Sequence, residues 1–320
     1  MQAWQRRCRA GRQKDRRVTQ VSANGLQLEV DVLGRPGDPV VMLIMGLGMQ
    51  LVAWPETFCR SLVDAGYRVV RFDNRDVGLS QKIDTAARVN LPLATMRYFL
   101  RLPVAAPYRI DSMAADAVGV LDALGIESAH VVGASLGGMV AQTVATQYPK
   151  RCLSLVSMMS SSGDRRLPPA DLKVIRLLLQ RPRRGSGTEE LVEHFTRLMK
   201  AIGSPGFPTP DDELRAKMRV GVERCYHPEG TARQLLAVIA SGDRSSQLRG
   251  IGKPTLVLHG DSDPLIPLPH GVDCARKIPG AELKVIPGMG HDLAPGLVPI
   301  LSDAVIGHLA AVRARVATRH

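Results

Sequence analysis

The segment Gly133-Ala134-Ser135-Leu136-Gly137 sets a serine between two glycines in the pattern G-x-S-x-G. His130-Val131-Val132 runs in as a short apolar strand, and a helical pattern, Leu136 to Gln147, starts at once behind it. In that strand–turn–helix setting the serine is offered as a nucleophile on a strained turn. Gly133 and Gly137 keep the walls clear, and the helix start aims N–H groups at the reacting atom. A serine hydroxyl needs a base, and the base needs an orienting acid. Of the eight histidines, His291 stands in the glycine-rich turn Pro287-Gly288-Met289-Gly290-His291 and is the expected base, whereas His259 lies inside a strand and reads as a packed core residue. The acid is expected in Gly260-Asp261-Ser262-Asp263-Pro264. Asp263, deeper in the loop, is preferred over Asp261, because turn aspartates often bond only their own backbone. An oxyanion formed during acyl transfer needs two N–H donors. Leu136, directly after the serine, is the first, and Leu47, between Gly46 and Gly48, is the expected second.

These groups need a scaffold. Val18–Val21 and Leu26–Leu33 read as a hairpin turning at Asn24-Gly25. Val40–Ile44, Tyr67–Phe72, His130–Gly133 and Leu153–Met159 are apolar runs expected as buried strands, alternating with helices at Thr57–Ala65, Asp111–Leu124 and Leu136–Gln147. Asp111 is expected to cap its helix. From Ser160 to about Gly250 only helical patterns occur: Leu172–Leu179, Glu189–Ala201, Asp212–Cys225 and Thr231–Ile239. Strands resume at Pro254–His259 and, after a helix, at Glu282–Ile286, before a last helix from about Leu297 to Val312. The expected architecture is a mostly parallel α/β sheet flanked by helices, residues 18–160 and 251–316, with an inserted helical cap over 161–250. Leu177, Leu178, Met199 and Met218 are expected as helix-packing residues of that cap rather than substrate contacts.

Composition narrows the class. The 320 residues are 45% hydrophobic and 22% charged, which excludes wholesale disorder and suits one α/β domain carrying an insertion. The net charge of +12 raises nucleic acid or an anionic membrane as partners, but it is localised. Residues 1–19 carry seven basic side chains against Asp15, and residues 161–185 carry seven against Asp164 and Asp171. No finger spacing, RNP-like motif or basic heptad accompanies them, so no nucleic acid is expected. Residues 1–17 read as a solvated, disordered tail. Five scattered cysteines without a C-x-x-C pair argue against a disulfide framework or zinc site. The uncharged stretch Pro39–Pro55 is short and broken by glycine, and no apolar leader precedes the first strand. A cytoplasmic protein without a membrane span is expected, with no cofactor and no metal.

The chain resembles the α/β-hydrolase superfamily, and within it the esterase group that includes aclacinomycin methylesterase. The matching stretches are Leu43-Ile44-Met45-Gly46, Phe72-Asp73-Asn74-Arg75-Asp76-Val77-Gly78-Leu79-Ser80, the turn at Ser135, Asp263-Pro264-Leu265-Ile266-Pro267 and Ile286-Pro287-Gly288-Met289-Gly290-His291. The resemblance implies Ser135 as nucleophile, His291 as base and Asp263 as acid. It implies hydrolysis of a small-molecule carboxylic ester through an acyl-enzyme. The turn opens Met45-Gly46 where many superfamily members have His-Gly, so a polar anchor of that loop is missing. Ser135 argues against dehalogenases and epoxide hydrolases, which use aspartate. A cofactor-free haloperoxidase or perhydrolase, a carbon–carbon bond hydrolase, or a ligand-binding protein with a silent triad would share the three residues. The usual oxyanion turn of the carbon–carbon hydrolases is not seen.

Overall fold

A computed structural model of the chain describes residues 16–84, 90–180, 182 and 185–317. Eight strands form one sheet: β1 (Arg16–Ala23), β2 (Leu26–Leu33), β3 (Val40–Ile44), β4 (Arg68–Phe72), β5 (Ala129–Ala134), β6 (Cys152–Met158), β7 (Thr255–Gly260) and β8 (Glu282–Ile286). Their order is β1-β2-β4-β3-β5-β6-β7-β8. The first two pairings, β1 with β2 and β2 with β4, are antiparallel, and all others are parallel. The hairpin turns where Asn24 and Gly25 both take positive φ, 48° and 75°. That matches the right-handed twist of the strands it joins.

Every residue of β3, β5 and β7 is buried, as continuous apolar runs in a doubly covered parallel sheet require. One face is covered by α3 (Ile110–Ala123) and α4 (Leu136–Gln147), through Ile110, Met113, Leu121, Val140 and Val144. The other is covered by α1 (Glu56–Asp64) and the last helix, α11 (Val298–Ala317), through Phe58, Leu62, Leu301, Val305 and Leu309. The last helix lies in the one segment among the described residues, Pro295–Arg315, that is apolar and long enough to cross a membrane. Its apolar residues at three- and four-residue spacing are buried against the sheet, which accounts for that hydropathy.

Between β6 and β7 the elements among the described residues are all helices: α5 (Leu172–Leu179), α6 (Thr188–Ile202), α7 (Asp211–Arg224), α8 (Pro228–Ser241) and the short α9 (Ser245–Arg249). A helix absent from the sequence reading, α2 (Leu91–Phe99), belongs with them. Its Leu91, Ala94 and Tyr98 pack on Leu236, Ile239 and Ala240 of α8. The unplaced helix between β7 and β8 is α10 (Pro269–Lys277).

Two expectations change. Arg16 and Arg17, assigned to the tail, are the first residues of β1; residues 1–15 lie outside the described residues. Arg16 reaches the fully buried Asp31 with two hydrogen bonds, of 3.0 and 2.8 Å, and Arg71 adds a third of 2.9 Å. A buried carboxylate needs such partners, so a charge that reads as solvated is instead drawn onto the sheet. Asp111 lies in the first turn of α3 rather than at its cap, which is Arg109; it still sits favourably at the positive end of the helix.

Candidate active site

Parallel strands deliver their loops to one edge, and all of the candidate groups lie there. Ser135 follows β5 and begins α4, with φ 56° and ψ −119°. A non-glycine residue in that region costs about 1–3 kcal/mol, and it persists because the surroundings leave no alternative. A Cβ on Gly133 would come within 2.1 Å of the Gly137 carbonyl oxygen, and one on Gly137 within 2.0 Å of the Ile44 oxygen. Both glycines are therefore required by contact with backbone, which cannot move aside.

His291 Nε2 stands 3.0 Å from Ser135 Oγ, and its Nδ1 stands 2.7 Å from Asp263 Oδ2. A carboxylate only accepts, so Nδ1 carries the proton and Nε2 offers its lone pair to the serine hydroxyl. The other oxygen of Asp263 accepts from Leu265 N–H (2.9 Å) and Ile266 N–H (2.8 Å), which locks the carboxylate plane. Asp263 and His291 are buried, and Ser135 is partly accessible. Asp261 does something different. It accepts from Gly288 N–H at 2.8 Å and from the Ser262 hydroxyl, bracing the turn that carries His291. His259 is wholly buried, and burial pulls its pKa below the ordinary histidine range. Its Nε2 donates to the Ile266 carbonyl at 2.7 Å, which puts a neutral ring 3.8 Å from Asp263.

The turn Met45–Gly48 leaves β3, the neighbour of β5, where Ile44 is in register with Gly133. Gly46 packs against the serine; a Cβ there would lie 3.7 Å from Ser135 Oγ. Among the described residues, neither Leu47 N–H nor Leu136 N–H has a backbone partner, while Gly138 and Met139 donate back to the Ser135 carbonyl. Asn74, buried in the loop after β4, donates to the Met45 carbonyl at 3.0 Å. It supplies the polar anchor that Met45 itself does not.

That same loop fastens the helical insertion. Asp73 accepts from Leu51 N–H (2.7 Å), Leu79 N–H (2.8 Å) and Arg224 of α7 (2.6 Å). Asp76, at φ 70°, accepts two bonds from Arg233 of α8 (2.9 and 2.7 Å) and one each from Tyr108 and Ile83 N–H. These bonds outweigh burial and hold its carboxyl below the ordinary aspartate range. Gln50 donates to the carbonyls of Gly221 and Cys225.

Beneath the insertion lies a cavity of about 190 Å³ that reaches Leu47 and Gly48. Its wall is mainly apolar, with Val52, Val77, Phe195, Leu198 and Val222. Leu178, Met199 and Met218 also line it, and Met199 and Met218 at the same time pack with Val192 and Leu214 between helices, as expected. A face turned to a cavity and a face turned to a neighbouring helix have the same apolar period. Lys217 also lines the cavity, and burial pulls its pKa below the usual lysine range. Among the described residues no group of three or more His, Cys, Asp or Glu side chains is arranged to hold a metal ion.

Residues 39–294 match the alpha/beta hydrolase fold family. The chain belongs to that family. As an α/β hydrolase it is of the esterase type, and its similarity to methylesterases runs through most of its length. It is 28% identical over 293 residues to rhodomycin D methylesterase DnrP of Streptomyces peucetius, covering 86% of this chain and 92% of the relative. It is 30% identical over 297 residues to rhodomycin D methylesterase DauP of Streptomyces sp. (strain C5), with the same coverage. A meta-cleavage product hydrolase from Pseudomonas fluorescens shares the fold, with a TM-score of 0.72 at 18% identity over 92% of this chain and 97% of that one.

Proposed function

We propose that this α/β hydrolase is a serine esterase that cleaves methyl esters of bulky, largely apolar carboxylic acids through a Ser135–His291–Asp263 triad. The observation that carries the reading is the hydrogen-bonded line of 3.0 and 2.7 Å joining the three at a strained strand–helix turn. Ser135 Oγ attacks the ester carbonyl while His291 Nε2 takes its proton, and Asp263 steadies the imidazolium. The oxyanion is met by Leu47 and Leu136 N–H. Collapse expels methanol, protonated by His291, and leaves an acyl-serine. Water, deprotonated by the same imidazole, then releases the acid and restores Ser135. The apolar cavity and the methylesterase relatives support the bulky acid. Four free cysteines among the described residues, three of them buried, support a reducing, cytoplasmic setting.

The test is hydrolysis of p-nitrophenyl esters of increasing acyl length beside methyl esters of polycyclic acids. Ser135→Ala should lose at least about 10⁴-fold in kcat, and a serine-directed phosphonate should label Ser135 alone. Full activity in the alanine variant, or labelling elsewhere, removes the mechanism. Peroxide-dependent halogenation exceeding ester hydrolysis would favour a perhydrolase, and saturable binding without turnover would make the chain a binding protein.

A further inference from the structure

The turn Met45–Gly48 carries the Leu47 N–H between two glycines, and glycine leaves peptide planes free to rotate. Two side chains, beside a backbone bond within the turn, limit that freedom. Asn74 holds the Met45 carbonyl (3.0 Å), which fixes the peptide plane before Gly46. Gln234 Oε1 accepts from Gly48 N–H (2.9 Å), which fixes the plane after Leu47. The Gly46–Leu47 plane, which contains the Leu47 N–H, lies between them, and its Gly46 carbonyl accepts from Met49 N–H at 3.2 Å.

Gln234 does not belong to the sheet. It lies on α8, 186 residues from Gly48, and is fully buried. Its Nε2 donates to the Arg75 carbonyl at 2.9 Å, so its amide is used at both ends and can sit in only one orientation. One turn of α8 adds two further contacts. Arg233 grips Asp76, and Thr231 abuts Gly48, where a Cβ would come within 2.8 Å of its hydroxyl. Gly48 has φ 67°, and the turn's own backbone bond, Met49 N–H to the Gly46 carbonyl, leaves the Gly48 end to these side chains.

We propose that Gln234 is a positioning residue that sets the Leu47 N–H, so that the oxyanion site is complete only while α8 is docked on the 73–76 loop. The inference rests on the esterase reading above. Gln234 touches no substrate; its effect passes through the turn and falls on the transition state, where negative charge develops on the carbonyl oxygen.

Gln234→Leu keeps the volume and removes both hydrogen bonds. With a methyl ester that the wild type hydrolyses, kcat should fall about 100-fold, in the range for a lost oxyanion donor, while KM stays within about three-fold. A trifluoromethyl ketone, which adds to Ser135 and forms an oxyanion, should lose affinity in parallel with kcat. The product carboxylic acid should bind as before. Gln234→Glu supplies a second reading, and carries the test alone if the leucine variant fails to fold. A neutral carboxyl presents both donor and acceptor, so the ratio of its kcat to that of the wild type should climb as pH falls. A rise in KM with kcat unchanged, unaltered affinity for the ketone, or a flat ratio would overturn the proposal. Ser135→Ala in the same assay separates the two ideas. If that variant stays active the serine reading has failed, whereas an inactive Ser135→Ala beside an unimpaired Gln234→Leu fails only the positioning role.

Discussion

The carboxyl edge of the sheet and the helical insertion above it are held by different balances of backbone and side-chain bonds. At the edge, contacts to backbone do most of the holding, and the His291 turn is bonded to the insertion as well, His291 N–H to the Ile202 carbonyl at 2.7 Å. Gly133 and Gly137 abut carbonyls, Asp263 is locked by two N–H groups three residues away or less, and Ser135 sits in its strained turn because nothing else fits. The insertion is held by side chains that cross the fold. Arg224 to Asp73, Arg233 to Asp76 and Gln234 to Gly48 span 151, 157 and 186 residues. The edge is rigid because its geometry is overdetermined. The insertion is attached by these side chains, each of which can be removed singly, and by backbone bonds such as Gly206 N–H to the Gly288 carbonyl (2.9 Å) and Asp171 N–H to the Pro264 carbonyl (2.8 Å).

The edge should respond most strongly. Asp263→Asn should lower kcat by about 10³–10⁴-fold, since the amide no longer orients the imidazole tautomer. Asp261→Asn, two residues away, should lose no more than about ten-fold, because it braces a turn whose backbone remains. Steady-state kinetics on the two variants decide it; equal losses would mean that the edge is less local than described.

The clasp should respond next, in stability before chemistry. Arg233→Met leaves Asp76 buried with its main partner gone, which costs about 3–5 kcal/mol. Hydrogen exchange should show α8 and α2 losing protection while β3 and β5 keep theirs. Uniform loss across the sheet would contradict an insertion fastened as a separable unit.

The smallest effect concerns His130, buried on β5 beneath the edge. Burial, with His308 and Arg313 adding to it, lowers its pKa from 6.5 to about 4. A histidine depressed on folding contributes its full stability above pH 6.5 and loses it as pH falls toward 4, because the unfolded chain takes up the proton first. The loss is at most about 3 kcal/mol at the acid end. His130→Gln should flatten denaturation midpoints between pH 6.5 and 4.5; an unchanged slope would assign the acid sensitivity elsewhere.

What the sequence disclosed follows the same division. G-x-S-x-G, the Asp263 loop and the His291 turn are local patterns whose meaning survives without neighbours, and the structure brings those three side chains together. The mostly parallel sheet and the flanking helices followed from apolar runs and turn residues, whereas the order of the strands did not. The clasp was invisible, since nothing near Asp76 announces Arg233. Asn74 stands in the matching stretch Phe72–Ser80 but with no role legible for it, and Gln234 could have been suspected only as a polar residue in a helical pattern. Helix α2 escaped because its Pro92 and polar flanks obscure a short apolar face. Arg16 was misplaced because its partner, Asp31, is one strand away.

The clasp also bears on how such enzymes exchange specificity. A cavity walled by α6 and α7 invites grafting of residues 161–250 from one relative onto another. The graft would arrive with Arg224, Arg233 and Gln234, but their counterparts, Gln50, Asp73, Arg75 and Asp76, would stay behind with the recipient. A chimera joined at the ends of β6 and β7 therefore inherits a new cavity on a mismatched seat. Its junctions have to include the loop after β4 for the transplanted helices to settle.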